Sequence, residues 1–159
     1  MITILPLTRG SSRTVQAQNV GAIIVAAGDS RRMQGVDKIF DFLLGRSLIT
    51  YSVQVFNDSP IVGTIVLVVS SGHVQRARQM AEENGWRKVK EVCAGGNRRQ
   101  DSVRVGLDRL HDTDWTIVHD GARPCIDSDT IVKGLEEAEE TGAASAAIPV
   151  TDTIKSAGL

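Results

Sequence analysis

Short apolar runs rich in Ile and Val alternate with amphipathic stretches along this chain, and that rhythm constrains its fold more than any other feature. VGAIIVAAG (20–28) is continuously apolar, ends in glycine and is too short for an ordinary helix; such a run reads as a strand buried on both faces. Residues 47–58 place Leu48, Tyr51 and Val55 on one helical stripe, with Ser47 as N-cap and Pro60 just past the end. TIVLVVSSG (64–72) is a second buried strand, and HVQRARQMAEENGW (73–86) a polar-faced helix closed by Gly85. A shorter strand over 88–93, a helix over 101–110, a strand over 115–119, a helix over 127–140 and an Ala-rich strand over 143–150 complete the series. Strand and helix in repeated succession predict an α/β chain with a mostly parallel sheet and helices on both faces. Ligands of such sheets sit outside the carboxyl ends of the strands, so function is expected in the strand-exit loops.

Residues 1–18 (MITILPLTRGSSRTVQAQ) hold no such period for long, and ILPL is too short an apolar core for a secretory signal. They read as a flexible leader, leaving 19–159 as one domain, in keeping with about 150 residues per domain. Composition excludes several functions. Eighteen Lys and Arg against nineteen Asp and Glu leave a net charge of -1, which argues against a nucleic-acid coat. Aromatic residues are 4%, too few for a single-strand stacking platform. No run approaches the roughly 20 apolar residues that span a bilayer. Cys93 and Cys125 lie far apart without CxxC spacing and read as inert thiols of a reducing, cytoplasmic protein.

The exit loops concentrate cations in a chain that is almost neutral. Arg31, Arg32 and Lys38 follow the first strand, Arg98 and Arg99 the third, Arg123 the fourth and Lys155 the last. Like charges held together repel, and a bound polyanion relieves that cost. Glycines beside them, Gly28, Gly95, Gly96 and Gly121, let backbone N–H groups approach phosphate oxygens, and each following helix offers its N-terminus. The loops therefore predict a phosphate-ligand site. They match neither GxxxxGK[ST] nor GxGxxG, since Ser30 and Met33 stand where the latter needs glycines. His73, His111 and His119 are scattered, with no HExxH or GxSxG motif; His73 and His111 read as surface or helix-end residues, and His119 as a structural neighbour of Asp120.

AAGDSRRM with Lys38, GGNRRQDSVRVGL (95–107), VHDGARP (118–124) and PVTDTIK (149–155) occur in order over nearly all of 20–155. Together they resemble the 2-C-methyl-D-erythritol 4-phosphate cytidylyltransferases, nucleotidyltransferases of non-mevalonate isoprenoid synthesis. The resemblance implies a Rossmann-like nucleotidyltransferase fold, here lacking the family's C-terminal segment. It implies transfer of CMP from CTP to methylerythritol phosphate, with Mg²⁺ as cofactor, cytoplasmic location and a homodimer. By matching position, Ala26, Ala27, Gly28 and Ser30 would wrap the triphosphate, while Arg32 and Lys38 would meet the α-phosphate as catalytic residues. Gly96, Asn97 and Ser102 would read the cytosine and ribose. Asp120 would hold Mg²⁺ or, alternatively, cap a helix; Arg123 and Thr153 would face the methylerythritol phosphate. RRMQGVDK also resembles the loop of molybdenum-cofactor nucleotidyltransferases, so a molybdopterin or ribitol-phosphate acceptor is the alternative, and a catalytically silent nucleotide-binding fragment a third reading.

Overall fold

The computed structural model describes residues 2–7, 19–28 and 38–149, with only the backbone of Lys38. The predicted alternation is present. Strands β1 (Ile2–Pro6), β2 (Val20–Ala26), the short β3 (Phe42–Leu43) and β4 (Arg46–Ser47), β5 (Val62–Val69), β6 (Val89–Ala94), β7 (Trp115–Asp120) and β8 (Ala144–Ser145) are interleaved with helices α1 (Leu48–Asp58), α2 (Val74–Glu83), α3 (Arg99–Leu107) and α4 (Ser128–Thr141). The main sheet runs β6-β5-β2-β7-β1-β8. Its β6, β5, β2 and β7 are parallel, and β1 is antiparallel to both neighbours.

Alternate residues of β2 face opposite cores. Ala22, Ile24 and Ala26 join Ile49, Val53 and Phe56 of α1, Ala77 of α2 and Ile131 of α4. Ile23 and Val25 join Val66, Val68 and Val118 beneath Val103 and Leu107 of α3. Burial on both faces is why this strand is an unbroken apolar run. α3 approaches its strand closely at Gly106, where an added Cβ would stand 2.5 Å from Ile23 Cγ2.

Several boundaries differ from the predicted ones. The second strand begins at Val62 and stops at Val69, because 71–73 turn into a 3-10 helix. α3 starts earlier than residue 101: the Asp101 carboxylate accepts from the Arg98 backbone N–H at 3.2 Å and so caps an earlier first turn. The Ala-rich stretch predicted over 143–150 forms only the two-residue β8, with Val150 outside the described residues.

The larger correction concerns the leader expected over 1–18. Residues 2–6 are an interior strand, paired with β7 from Ile2↔His119 to Pro6↔Trp115 and with β8 at Thr3↔Ser145 and Ile4↔Ala144. The physical reason is a period of two too short to stand out. Ile2 and Ile4 are 5% and 1% exposed, whereas Leu5 on the other face is 44% exposed. Gly134 of α4 leaves the room that Ile4 fills, since a Cβ there would come within 2.8 Å of Ile4 Cδ1. Residues 8–18 lie outside the described residues.

His119, on β7, is 2% exposed and packs on Phe56 with ring centroids 5.2 Å apart. Burial pushes its pKa down to about 4 from the ordinary 6.5, against the opposing pull of its hydrogen bond to Arg123.

Two predictions follow from this packing. Alanine has a helix propensity about 1 kcal/mol better than glycine, but overpacking a tight core costs about 1–3 kcal/mol. Gly106→Ala should therefore lower the urea midpoint of unfolding; an unchanged or raised midpoint would contradict the close helix–strand approach. For His119, the unfolded chain takes up a proton as pH falls through 6.5 while the folded chain does so only near 4. Stability should be flat above pH 6.5 and fall as pH drops from there toward 4, by up to about 3 kcal/mol. Denaturation of His119→Phe should lack that part of the slope, and an identical slope in both proteins would refute it.

Candidate functional site

Register brings the exit loops together. Ala26 is level with Val69, Val69 with Ala94, and Val25 with Asp120, so β2, β5, β6 and β7 release their chains along one edge. Two backbone bonds carry the ladder past the strand ends: Gly95 N–H donates to Val69 O at 2.8 Å and Gly121 N–H to Val25 O at 2.8 Å. Small residues permit this. A Cβ on Gly95 would lie 2.4 Å from the Ala27 Cβ and 2.5 Å from Ser102 Oγ, and one on Gly121 would lie 3.1 Å from the Ala26 Cβ. Ala26, Ala27, Gly95, Ser102 and Gly121 thus form the floor on which the loops meet, and Gly28 opens from it, exposed.

The loop after β6 is shaped by Ser102. Its hydroxyl lies 3.2 Å from Gly96 N, 3.4 Å from Gly96 O and 3.3 Å from Arg98 O, and the residue is 2% exposed. These contacts to the backbone of Gly96 and Arg98 hold the loop in shape. Asn97 beside it is exposed.

Asp120, at the end of β7, lies between two guanidinium groups. Arg99 Nε donates to Oδ1 at 2.8 Å and Arg123 Nε to Oδ2 at 3.1 Å. Partial burial works to raise its pKa, but hydrogen bonds and positive charge, those of Arg99 foremost and of the N-terminal amine next, outweigh it and hold the carboxyl below the ordinary carboxylate range. The alternative of a helix cap falls away, because Asp127 caps α4 through a 2.7 Å bond from Thr130 N–H. Arg98 likewise pairs with Asp101 at 3.0 Å. The loop cations described here are therefore ion-paired with neighbouring carboxylates, not left to repel one another. Arg99 was counted among the loop cations without a role; its bond across to Asp120, 21 residues on, is a tertiary contact that no local spacing signals.

Backbone contacts make the 120–123 turn stiff. Arg123 N–H donates to Asp120 O at 3.0 Å. Ser52 Oγ, on α1, lies 3.0 Å from Gly121 O and 3.2 Å from Arg123 O, and His119 Nε2 lies 3.1 Å from Arg123 O. On the other flank, Lys38 opens a 3-10 turn anchored by the buried Ile39 and Phe40. Phe40 meets the His73 ring with centroids 4.9 Å apart, and Arg76 lies 4.2 Å over its face. Half-buried His73, at the N-cap of α2 as a helix-end residue, also bonds Ser70 Oγ at 2.6 Å. Ser30, Arg31, Arg32, Thr153 and Lys155 lie outside the described residues, as does the Lys38 side chain.

No group of three or more His, Cys, Asp or Glu side chains suited to a metal occurs among the described residues. Mg²⁺ commonly takes one or two carboxylates together with substrate phosphates and water, so the single carboxylate of Asp120, 24% exposed, is chemically adequate as one ligand. None of the described helices is long and apolar enough to cross a membrane.

The sequence profile of the 2-C-methyl-D-erythritol 4-phosphate cytidylyltransferases matches residues 20–158. A protein of that description from Dehalococcoides mccartyi strain CBDB1 is 48% identical over 138 residues, 87% of this chain and 61% of its own length. One from Clostridium tetani is 38% identical over 135 residues, 84% of this chain and 55% of its own. The crystal structure of a 4-diphosphocytidyl-2C-methyl-D-erythritol synthase superposes with a TM-score of 0.67 at 26% identity, over 89% of this chain and 64% of that one. This chain thus spans about three fifths of the length of the curated relatives it matches. It belongs to the 2-C-methyl-D-erythritol 4-phosphate cytidylyltransferase family.

Proposed function

We propose that the chain transfers CMP from CTP to 2-C-methyl-D-erythritol 4-phosphate. An oxygen of the acceptor phosphate bonds to the α-phosphorus of CTP, the bond from that phosphorus to the bridging oxygen of the β-phosphate breaks, and pyrophosphate leaves. The observation that carries this reading is the convergence of the loops at Ala26–Gly28, Gly95–Asn97 and Asp120–Arg123 on one sheet edge, in a chain of this family.

The residues suit the chemistry. A phosphate monoester with a second pKa near 6 is mostly ionised at neutral pH, so it attacks without a general base. The reaction needs two anions brought into line and the charge of the pentacoordinate phosphorus neutralised. The small-residue floor gives phosphate oxygens access to the backbone of Ala26, Ala27 and Gly28, with Ser30 continuing the same loop. Arg32 and Lys38 are assigned to the α-phosphate, and the anchored Ile39-Phe40 turn fixes where the lysine leaves the backbone. Gly96, Asn97 and Ser102 are assigned to the base and ribose, on a loop that the Ser102 hydroxyl also holds. Arg123, with Thr153, is assigned to the acceptor phosphate, for which an exposed guanidinium is a strong charge-assisted donor. Asp120 would hold Mg²⁺, which when bound withdraws charge from the phosphates; CTP and a phosphorylated polyol are the partners implied.

The test is pyrophosphate release from CTP and Mg²⁺ with 2-C-methyl-D-erythritol 4-phosphate, run beside ribitol 5-phosphate, with calorimetric CTP binding in parallel. Release with the first acceptor alone is expected. Preference for the second would reassign the acceptor, and CTP binding without release would mark a silent nucleotide-binding protein. Lys38→Ala should cut turnover by at least about 10²-fold, as removal of a charge-stabilising donor does elsewhere, with an unchanged unfolding midpoint. Wild-type turnover in that variant would remove the lysine from the mechanism.

A further inference from the structure

Arg123 is exposed, yet its backbone is among the most firmly tied in the site loops. Its carbonyl faces two donors from different elements: Ser52 Oγ of α1 at 3.2 Å and His119 Nε2 of β7 at 3.1 Å. Ser52 is 0% exposed and its hydroxyl also lies 3.0 Å from Gly121 O. A carbonyl only accepts, so His119 carries its proton on Nε2, and its unprotonated Nδ1 is buried without a hydrogen-bond partner. A core hydroxyl and a core imidazole, reached across 69 and 71 residues for the serine, both spend their polar atoms on one turn whose outward side chain is an arginine. Burying polar groups is costly unless they are bonded, and an aliphatic pair could fill this space equally well; what it could not do is hold the turn.

We infer that Ser52 and His119 are positioning residues that fix the Arg123 backbone so that its guanidinium meets the acceptor phosphate from a set origin. Neither touches substrate. With the amide of Arg123 held by Asp120 O at 3.0 Å and its carbonyl held twice, only side-chain torsions remain to be ordered on binding. Without those anchors the turn itself must be ordered too, and that cost falls on acceptor binding. The inference rests on the assignment of Arg123 to the acceptor.

The experiment measures KM for CTP and for 2-C-methyl-D-erythritol 4-phosphate, with calorimetric acceptor binding in the presence of CTP, on the whole chain. The variants are Ser52→Ala, His119→Phe and His119→Gln. Losing one such hydrogen bond should raise acceptor KM about 3- to 10-fold, with KM for CTP unchanged. His119→Phe keeps a ring against Phe56 but no donor, whereas His119→Gln keeps a donor and should recover most of the loss. If His119→Phe does not fold, Ser52→Ala carries the test. Equal acceptor binding in wild type and Ser52→Ala, or losses equal for CTP and acceptor, overturns the inference alone. A wild-type chain that neither binds nor consumes this acceptor overturns the reading of the reaction, and the inference with it.

Discussion

The backbone bonds from Gly95 to Val69 and from Gly121 to Val25 extend the sheet's ladder beyond the strands themselves. The site depends on them. Parallel strands alone would bring loops to a common edge, but not within contact of one another. Contact requires that side chains at the meeting point be nearly absent, and Ala26, Ala27, Gly95 and Gly121 supply this. The separation of 2.4 Å between a hypothetical Gly95 Cβ and the Ala27 Cβ shows how little space remains. The smallness of these residues is thus the steric fact on which the architecture of the edge rests.

Second to this floor comes the set of polar contacts that stiffen what stands on it. Ser102 ties down the loop after β6, and Ser52 with His119 ties down the turn after β7. Both serines are almost wholly buried, and both are committed to main-chain atoms of a loop rather than to another side chain. Irregular segments cannot satisfy their own carbonyls as helices and strands do. A buried hydroxyl lent by a neighbouring helix is a compact way to satisfy them while leaving the loop's outer side chains open to ligand.

Much of this was legible in the sequence, and the part that was not has a common cause. β2, β5 and β7 were readable because burial on both faces demands uninterrupted apolar residues, and α1 and α4 because helical periodicity acts within a turn or two; Ser47 stands at the N-cap position of α1 but makes no side-chain cap bond. β1 was missed because its evidence is a partner more than a hundred residues away; four alternating residues carry no local weight until β7 lies beside them. The β3–β4 hairpin was missed for a related reason. Phe42, Leu43 and Leu44 are exposed, with Leu44 at a positive φ of 49°, against what apolar residues usually signal. At the site, motif order indicated which loops to inspect, but the backbone contacts of Ser102, the partner of Arg99 and the anchoring by Ser52 are tertiary facts with no local signature.

Charge shows the same division. Sequence reading counted cations along one edge and inferred mutual repulsion awaiting an anion; folding places Asp120 between Arg99 and Arg123, and Asp101 against Arg98. These pairs do not make the edge inert. The arginine side chains are 50%, 64% and 69% exposed, and ion pairs of that kind contribute about 0–1 kcal/mol in water. A phosphate monoester group, with about -1.5 to -2 charge and three terminal oxygens, offers more charge and more acceptor sites than one shared carboxylate and would compete for these guanidinium groups at small cost. The carboxylates draw the arginines together at this edge, where unpaired side chains would spread through solvent. An almost neutral chain can in this way gather arginines along one edge without carrying an excess of positive charge.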